Sequence, residues 1–242
     1  MFKNLKEDVQ AFMERDPAAR STLEIILCYS GYHAIMFYRL GHWLWEANFR
    51  LPARFVSQIG KMLTGIEIHP GASIGRRLVI DHGMGVVIGE TSIIGDDVTL
   101  YHDVTLGGIA PSVESESQVG QKRHPTIENG AIIGSGAAIL GPIVVGEGAK
   151  VGANSVVTKP VPAGTTAVGV PARIVMPKDK GKTKEFVAYG TLADGPDPVI
   201  QTIDDLRRQI GMLVNRIEEL EGQKGEEEKK SNQSRSDDEP DS

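Results

Sequence analysis

Along the middle of the chain the apolar positions fall on a period of six. Aliphatic residues stand at Ile68, Ile74 and Ile80. A two-residue slip follows, and the series continues through Ile88, Ile94, Leu100 and Leu106. After a longer interruption it resumes at Ile127, Ile133, Ile139, Val145, Val151 and Val157. Glycine often comes next, as at Gly75, Gly89, Gly95, Gly107, Gly134, Gly146 and Gly152. A helical period of 3.6 cannot hold a six-residue register over that distance. Hexads predict a parallel β-helix, in which each coil has three short sides and equivalent aliphatic side chains stack from coil to coil. The small residues permit the tight turns between sides.

The flanks have other periods. Residues 1–66 read as a helical region. Ser21 with Glu24 forms a capping-box pattern, predicting one helix through Leu23–Trp45. Pro52 suits the first turn of a second helix. The β-helical region is expected over 67–176, followed by a linker over 177–198. Ile203, Leu206, Ile210, Leu213, Ile217 and Leu220 then alternate in steps of three and four. That stripe predicts an amphipathic helix over 199–222, forming a short coiled coil between subunits or packing on its own chain. Residues 223–242 are low in complexity and expected to be disordered. The fold class is therefore α+β.

The interruption, Gly108 to His124, is polar and must leave the coil and return. Long loops on a rigid scaffold often carry function. Aromatic residues are only 5% of the chain while glycines number 28, which excludes a large aromatic core. The net charge of −6 comes largely from Glu226 to Asp241, and nothing suggests a nucleic-acid surface. The single cysteine, Cys28, excludes an intramolecular disulfide, fits a reducing compartment, and reads as buried filler. The opening MFKNLKEDVQ has no apolar signal core, and Glu24, His33, Arg39 and His42 interrupt the most apolar stretch. A cytoplasmic protein without a membrane span is expected.

No GxxxxGK[ST], CxxC or HExxH occurs. Of the six histidines, His33 and His42 lie in the apolar helical part and read as structural. His69, His82, His102 and His124 lie in or beside the repeat. The segment IEIHPGASIGRRLVIDHGMGVVIGETSIIGDDVTLYHDVTLGG, with the later RHP, resembles the serine acetyltransferases. The resemblance runs from Asp16-Pro17 through GYHAIMFYRLGHWLW to GVPARIV, about two-thirds of the chain. It implies a left-handed parallel β-helix behind a helical domain, with active sites between neighbouring subunits. It implies acetyl transfer from acetyl-CoA, a co-substrate rather than a permanently bound cofactor, to L-serine.

Residue by residue, the resemblance makes His82 the general base and Glu67 its paired carboxylate, where Asp is commoner. It gives Asp16, Asp81, Arg123 and His124 to the serine, and Gly108, Ser135 and Ala153 to the CoA arm. The chemistry suits these types: imidazole can take a proton from a hydroxyl near neutral pH, and a carboxylate can fix its tautomer. Carboxylates answer an ammonium, and a guanidinium fork answers a carboxylate. L-cysteine is an expected feedback inhibitor. A homotrimer is expected, with a hexamer possible in principle but its contact altered by the short helical region. A complex with O-acetylserine sulfhydrylase is not expected, because the family's terminal isoleucine is replaced by DDEPDS. Other readings are acetylation of a different hydroxyl or amine, a histidine-metal hydratase, and a trimeric scaffold.

Overall fold

The structure, a computed structural model, describes residues 2–109, 118–175 and 207–214. Four helices come first: α1 (Phe2–Arg15), α2 (Thr22–Cys28), α3 (Ser30–Glu46) and α4 (Arg50–Thr64). Fifteen short strands follow, numbered along the chain, and they form three faces of a prism. Face I holds β1 (Glu67–Ile68), β4 (Val87–Ile88), β7 (Thr105–Gly107), β10 (Ala138–Leu140) and β13 (Val156–Val157). Face II holds β2 (Ser73–Ile74), β5 (Ile93–Ile94), β8 (Thr126–Ile127) and β11 (Val144–Val145). Face III holds β3 (Val79–Ile80), β6 (Thr99–Leu100), β9 (Ile132–Ile133), β12 (Lys150–Val151), β14 (Thr166–Val168) and β15 (Arg173–Val175).

Every pairing is parallel except that of β14 with β15, where the chain folds back across the end of face III. As far as β13 each strand pairs with the one three places on, while on face III β12 pairs with β14; the domain is a left-handed parallel β-helix. Val87 pairs with Thr105 and Ala138 with Val156, three hexads further along. Glu67 pairs with Val87, three hexads and two residues on. Thr105 pairs with Ala138 across the long loop.

The hexad aliphatics form the core. Ile80, Ile88, Leu100, Leu106, Ile127, Ile133, Ile139, Val145 and Val151 are all at most 1% exposed. Burial of such a side chain contributes about 1.5–3 kcal/mol. The stack needs no aromatic residue, consistent with their scarcity. Corners are turned by residues with positive φ, among them Arg77, His82, Asp97, Asp103 and Asn154.

The helices fasten the start of the prism. Arg77 pairs with Glu14 and Asp97, Arg76 with Glu7, and Arg15 with Asp97. Asp8 is fully buried and answered by Arg39 at 2.6 Å. These pairs hold α1 on face III and bring Asp16, just beyond it, to the edge of that face.

Two expectations are corrected. The helix expected through Leu23–Trp45 breaks at Tyr29, whose backbone is extended (φ −92°, ψ 108°). The break seats α3 directly on the β-helix: a Cβ on Gly31 would stand 2.0 Å from the Ile80 carbonyl oxygen. Ser21 does cap α2, accepting from the Glu24 N–H, while the Glu24 carboxylate accepts from Arg20 N–H. Cys28, at the end of that short helix, is exposed rather than buried. No helix among the described residues is long and apolar enough to cross a membrane. Residues 207–214 form a separate helical segment with Ile210 and Leu213 exposed. The rest of the heptad stripe and the tail lie outside the described residues.

Candidate functional site

The candidate residues gather at two different corners of the prism. The corner between faces III and I carries Asp81 and His82, which connect β3 to β4. Here the hexad slips by two, and the extra residues let the chain bulge. His82 (φ 59°), Gly83 (φ 76°) and Gly85 (φ 78°) all take left-handed conformations. A left-handed histidine is uncommon and is held from its surroundings. Asp81 N–H donates to Leu100 O at 2.8 Å, and Gly85 N–H to Gly65 O at 3.0 Å. Ser30 Oγ, from the start of α3, donates to the His82 carbonyl at 3.0 Å.

The His82 side chain is 76% exposed, with Nε2 at 3.8 Å from Asp81 Oδ1. That separation is an ion-pair distance, too long for a hydrogen bond. On the next coil, His102 meets the His82 ring edge to face, with centroids 5.9 Å apart. Burial raises the pKa of Asp81; His82 draws it down, and the nearby Asp16 carboxylate pushes it up. Asp16 accepts from Ala18 N–H through Oδ1 at 2.8 Å and from the Tyr29 hydroxyl through Oδ2 at 2.7 Å. Ser135 and Ala153 turn the same corner on the two coils beyond His102. Coils repeat at about 4.8 Å, so these residues form a column along the prism axis above His82.

Glu67 begins β1, just below this corner, where Gly83 and Gly85 fold back over Ile66 and Gly65. Its carboxylate is engaged by Lys61 of α4 at 2.5 Å. The acid nearest to His82 here is Asp81, not Glu67.

The corner between faces I and II carries Gly108, Arg123 and His124, with Glu90 and Thr91 on the coil below. Arg123 is held by Glu90 and donates to Gln118 O at 3.3 Å. Burial works to raise the Glu90 pKa, but the Arg123 hydrogen bond and the neighbouring His69 and Arg123 charges bring it below the usual range. His124 is 9% exposed. Its Nδ1 accepts from Thr91 N–H at 3.1 Å and faces Thr91 Oγ1 at 2.9 Å. Thr91 Oγ1 itself accepts from the Arg123 and His124 amides, so its proton goes to Nδ1. His124 is thereby fixed as the neutral tautomer with the proton on Nε2. Burial, then Arg123, lowers its pKa. Its ring lies across Gly89, where a Cβ would come within 2.0 Å of Cδ2. His69 is pushed down to about 4, first by burial and then by Arg54. Lys122, Glu90, Thr91 and Trp45 line a groove beside this corner.

The structure thus brings Asp16, Asp81 and His82 together and sets Arg123, His124 and Gly108 apart from them, with face I between. Sequence reading assigned no role to Tyr29, Glu90 or Thr91. Their partners lie 13 to 33 positions away along the chain, and no local pattern announces such contacts. His33 and His42 donate to the Ile26 and Pro70 carbonyls, as structural residues do.

Comparison with known proteins agrees with this architecture. A family model described as "Serine acetyltransferase, N-terminal" matches residues 1–36, and "Bacterial transferase hexapeptide (six repeats)" matches 124–159. A serine acetyltransferase of Mycobacterium tuberculosis is 52% identical over 72% of this chain and 73% of its own length. One of Bacillus subtilis is 48% identical over 90% of this chain and 95% of its own. Among solved structures, a soybean serine acetyltransferase complexed with serine superposes with a TM-score of 0.67 at 45% identity, covering 72% of this chain and 68% of that one. A Brucella abortus serine acetyltransferase in complex with coenzyme A gives 0.67 at 40% identity, covering 72% and 67%. A serine acetyltransferase in complex with cysteine gives 0.68 at 43%, covering 72% and 69%.

Proposed function

This chain belongs to the serine acetyltransferases, and on that premise we propose that its two corners are the halves of one catalytic site shared between neighbouring subunits. The chain is an acetyl-CoA-dependent transferase that moves the acetyl group to the hydroxyl of L-serine, giving O-acetyl-L-serine and free coenzyme A. The reading of the site rests on one observation: Asp16 and Asp81 stand beside the exposed imidazole of His82, while the guanidinium that would balance them sits at another corner.

In this reading Asp16 and Asp81 take the serine ammonium. Arg123 takes the carboxylate, with Nε2–H of His124 as a further donor. His82 removes the hydroxyl proton as the oxygen attacks the thioester carbonyl. The carbon–sulfur bond then breaks, and His82 returns the proton to the departing thiolate. Glu67 supports the imidazolium once Lys61 yields it. The CoA arm runs along the column of Ser135 and Ala153, with Gly108 of the adjoining chain opposite. No covalent acyl-enzyme is required.

In this reading one acceptor meets the corners of two neighbouring chains, and a homotrimer, with the chains around a threefold axis, is the arrangement proposed. L-cysteine carries the same ammonium and carboxylate as serine, so it occupies the same half-sites and inhibits by feedback. A cytoplasmic location fits the supply of both substrates.

The test is subunit complementation. His82→Ala and Arg123→Ala proteins, each assayed alone for serine-dependent thiol release at low serine, are expected to be impaired. After dissociation and random mixing, roughly a quarter of the sites regain both intact halves, and activity returns accordingly. Absence of recovery in mixed oligomers would refute a site shared between chains.

A further inference from the structure

The break between α2 and α3 does more than change the direction of the chain. Three consecutive residues at the break reach the acceptor side of the site. Tyr29 donates its hydroxyl proton to Asp16 Oδ2 at 2.7 Å. Ser30 Oγ donates to the carbonyl of His82 at 3.0 Å. Gly31 lies so close to Ile80 that no side chain could stand there. A helix continuing smoothly past residue 28 would not present this sequence of contacts.

We propose that Tyr29 is a positioning residue for the acceptor: its hydroxyl holds the Asp16 carboxylate opposite Asp81, so that the two together receive the ammonium of the amino acid. The inference rests on the assignment of Asp16 and Asp81 to the serine ammonium. Three observations carry it. The Asp16 carboxylate is held at both oxygens, by Ala18 N–H at 2.8 Å and by Tyr29, which leaves little rotational freedom. The Tyr29 ring is itself fixed, edge to face on Phe12 with centroids 5.7 Å apart. Phe12 is 1% exposed, so this wall is part of the core. Finally, both carboxylates act on the phenol. Burial, the hydrogen bond to Asp16, and the charges of Asp16, Glu24 and Asp81 raise its pKa to about 12, keeping the hydroxyl a donor throughout the neutral range. The acids thus form a triangle with Tyr29, and a small cation is the ligand that would relieve their repulsion.

A carboxylate released from such a bond loses orientation rather than charge. The expected consequence of Tyr29→Phe is a rise of about tenfold in the KM for serine, the scale of one hydrogen bond to a charged group. kcat should stay within about twofold, because the base and the thioester are untouched. The KM for acetyl-CoA should not change.

Two controls separate this role from a packing role. The first is 3-hydroxypropionate, an acceptor with the hydroxyl and carboxylate of serine but no ammonium. Loss of folded enzyme would lower turnover of both acceptors alike. Loss of ammonium positioning lowers the preference for serine, measured as the ratio of kcat/KM values. An unchanged ratio in Tyr29→Phe overturns the proposal. The second is a double-mutant cycle with Asp16→Asn. If Tyr29 acts through Asp16, Tyr29→Phe has less than about a twofold further effect once Asp16→Asn is present. A full tenfold effect in that background overturns the proposal while leaving the acceptor assignment intact. If Asp16→Asn alone leaves the KM for serine unchanged, the acceptor assignment fails and this inference fails with it.

Discussion

His82 and His124 are two imidazoles of one small prism, and they are treated in opposite ways. His82 stands on a bulged corner with its side chain 76% exposed and, among the described residues, no hydrogen bond fixing its tautomer. His124 lies at 9% exposure on a bed of glycine, its Nδ1 satisfied by Thr91. The first ring is open to solvent and to an incoming substrate. The second is held neutral and can only donate from Nε2. In the reading proposed above, burial and hydrogen-bond partners, rather than sequence motif, suit one histidine to act as a base and the other as a fixed donor.

The largest way to break the comparison is to remove the mobile proton. His82→Ala is expected to lower kcat for serine-dependent thiol release by at least about a hundredfold, the scale of losing a general base. Turnover at the parent rate would show that another group takes the proton. The buried ring can be attacked without touching it. Gly89→Ala introduces a methyl 2.2 Å from His124 Nε2, and Gly89 has no left-handed φ to complicate the change. The imidazole must leave Thr91. The expected result is a fall of about tenfold or more in kcat/KM for serine, with a stability cost of about 1–3 kcal/mol for the stranded hydrogen-bond partners. Parent kinetics together with parent melting would show that the His124 position is immaterial.

The smallest effect sharpens the contrast through pH. His69, beside Glu90 and Arg123, has a folded-state pKa of about 4, against about 6.5 for an exposed ring, because burial and Arg54 disfavour its charge. The unfolded chain therefore binds more protons between those values. The stability that comes from keeping this ring neutral is fully present above about pH 6.5 and is lost as the pH falls towards 4. His124 acts in the same direction. Melting temperature should fall on acidification from pH 7.5 to 5, and His69→Asn should flatten that slope by about a few degrees. Parallel curves for parent and variant would count against a neutral His69.

Much of this was legible in the residues. The two-residue slip after Ile80 marks the bulge that carries His82, although counting hexads shows only that the register moves. The polar run from Gly108 to His124 marks the excursion that ends at Arg123. The helix break at Tyr29 was not legible, because Ser21 and Glu24 cap a helix whose apolar pattern simply continues. The break lies beside the close approach of Gly31 to Ile80, a contact between residues far apart in the chain. For the same reason Cys28 looked buried: the stretch is apolar, yet Leu23, Ile26 and Leu27 are exposed beside it. Asp81 beside His82 was legible, since the two are adjacent in the chain; that Lys61 of α4 holds the Glu67 carboxylate was not.

By itself, the order of residues determined the period, and the period determined the fold. Aliphatic residues recurring every six positions with small residues beside them match coils of three short sides, so stacked parallel strands are expected from the spacing. Tertiary structure decided the protonation chemistry. Whether an imidazole is exposed, which oxygen holds its nitrogen, and which cation claims a carboxylate depend on groups from other elements, from six to more than thirty residues away. Those groups become neighbours only when the coils close and the helices dock, and a local pattern carries no record of them.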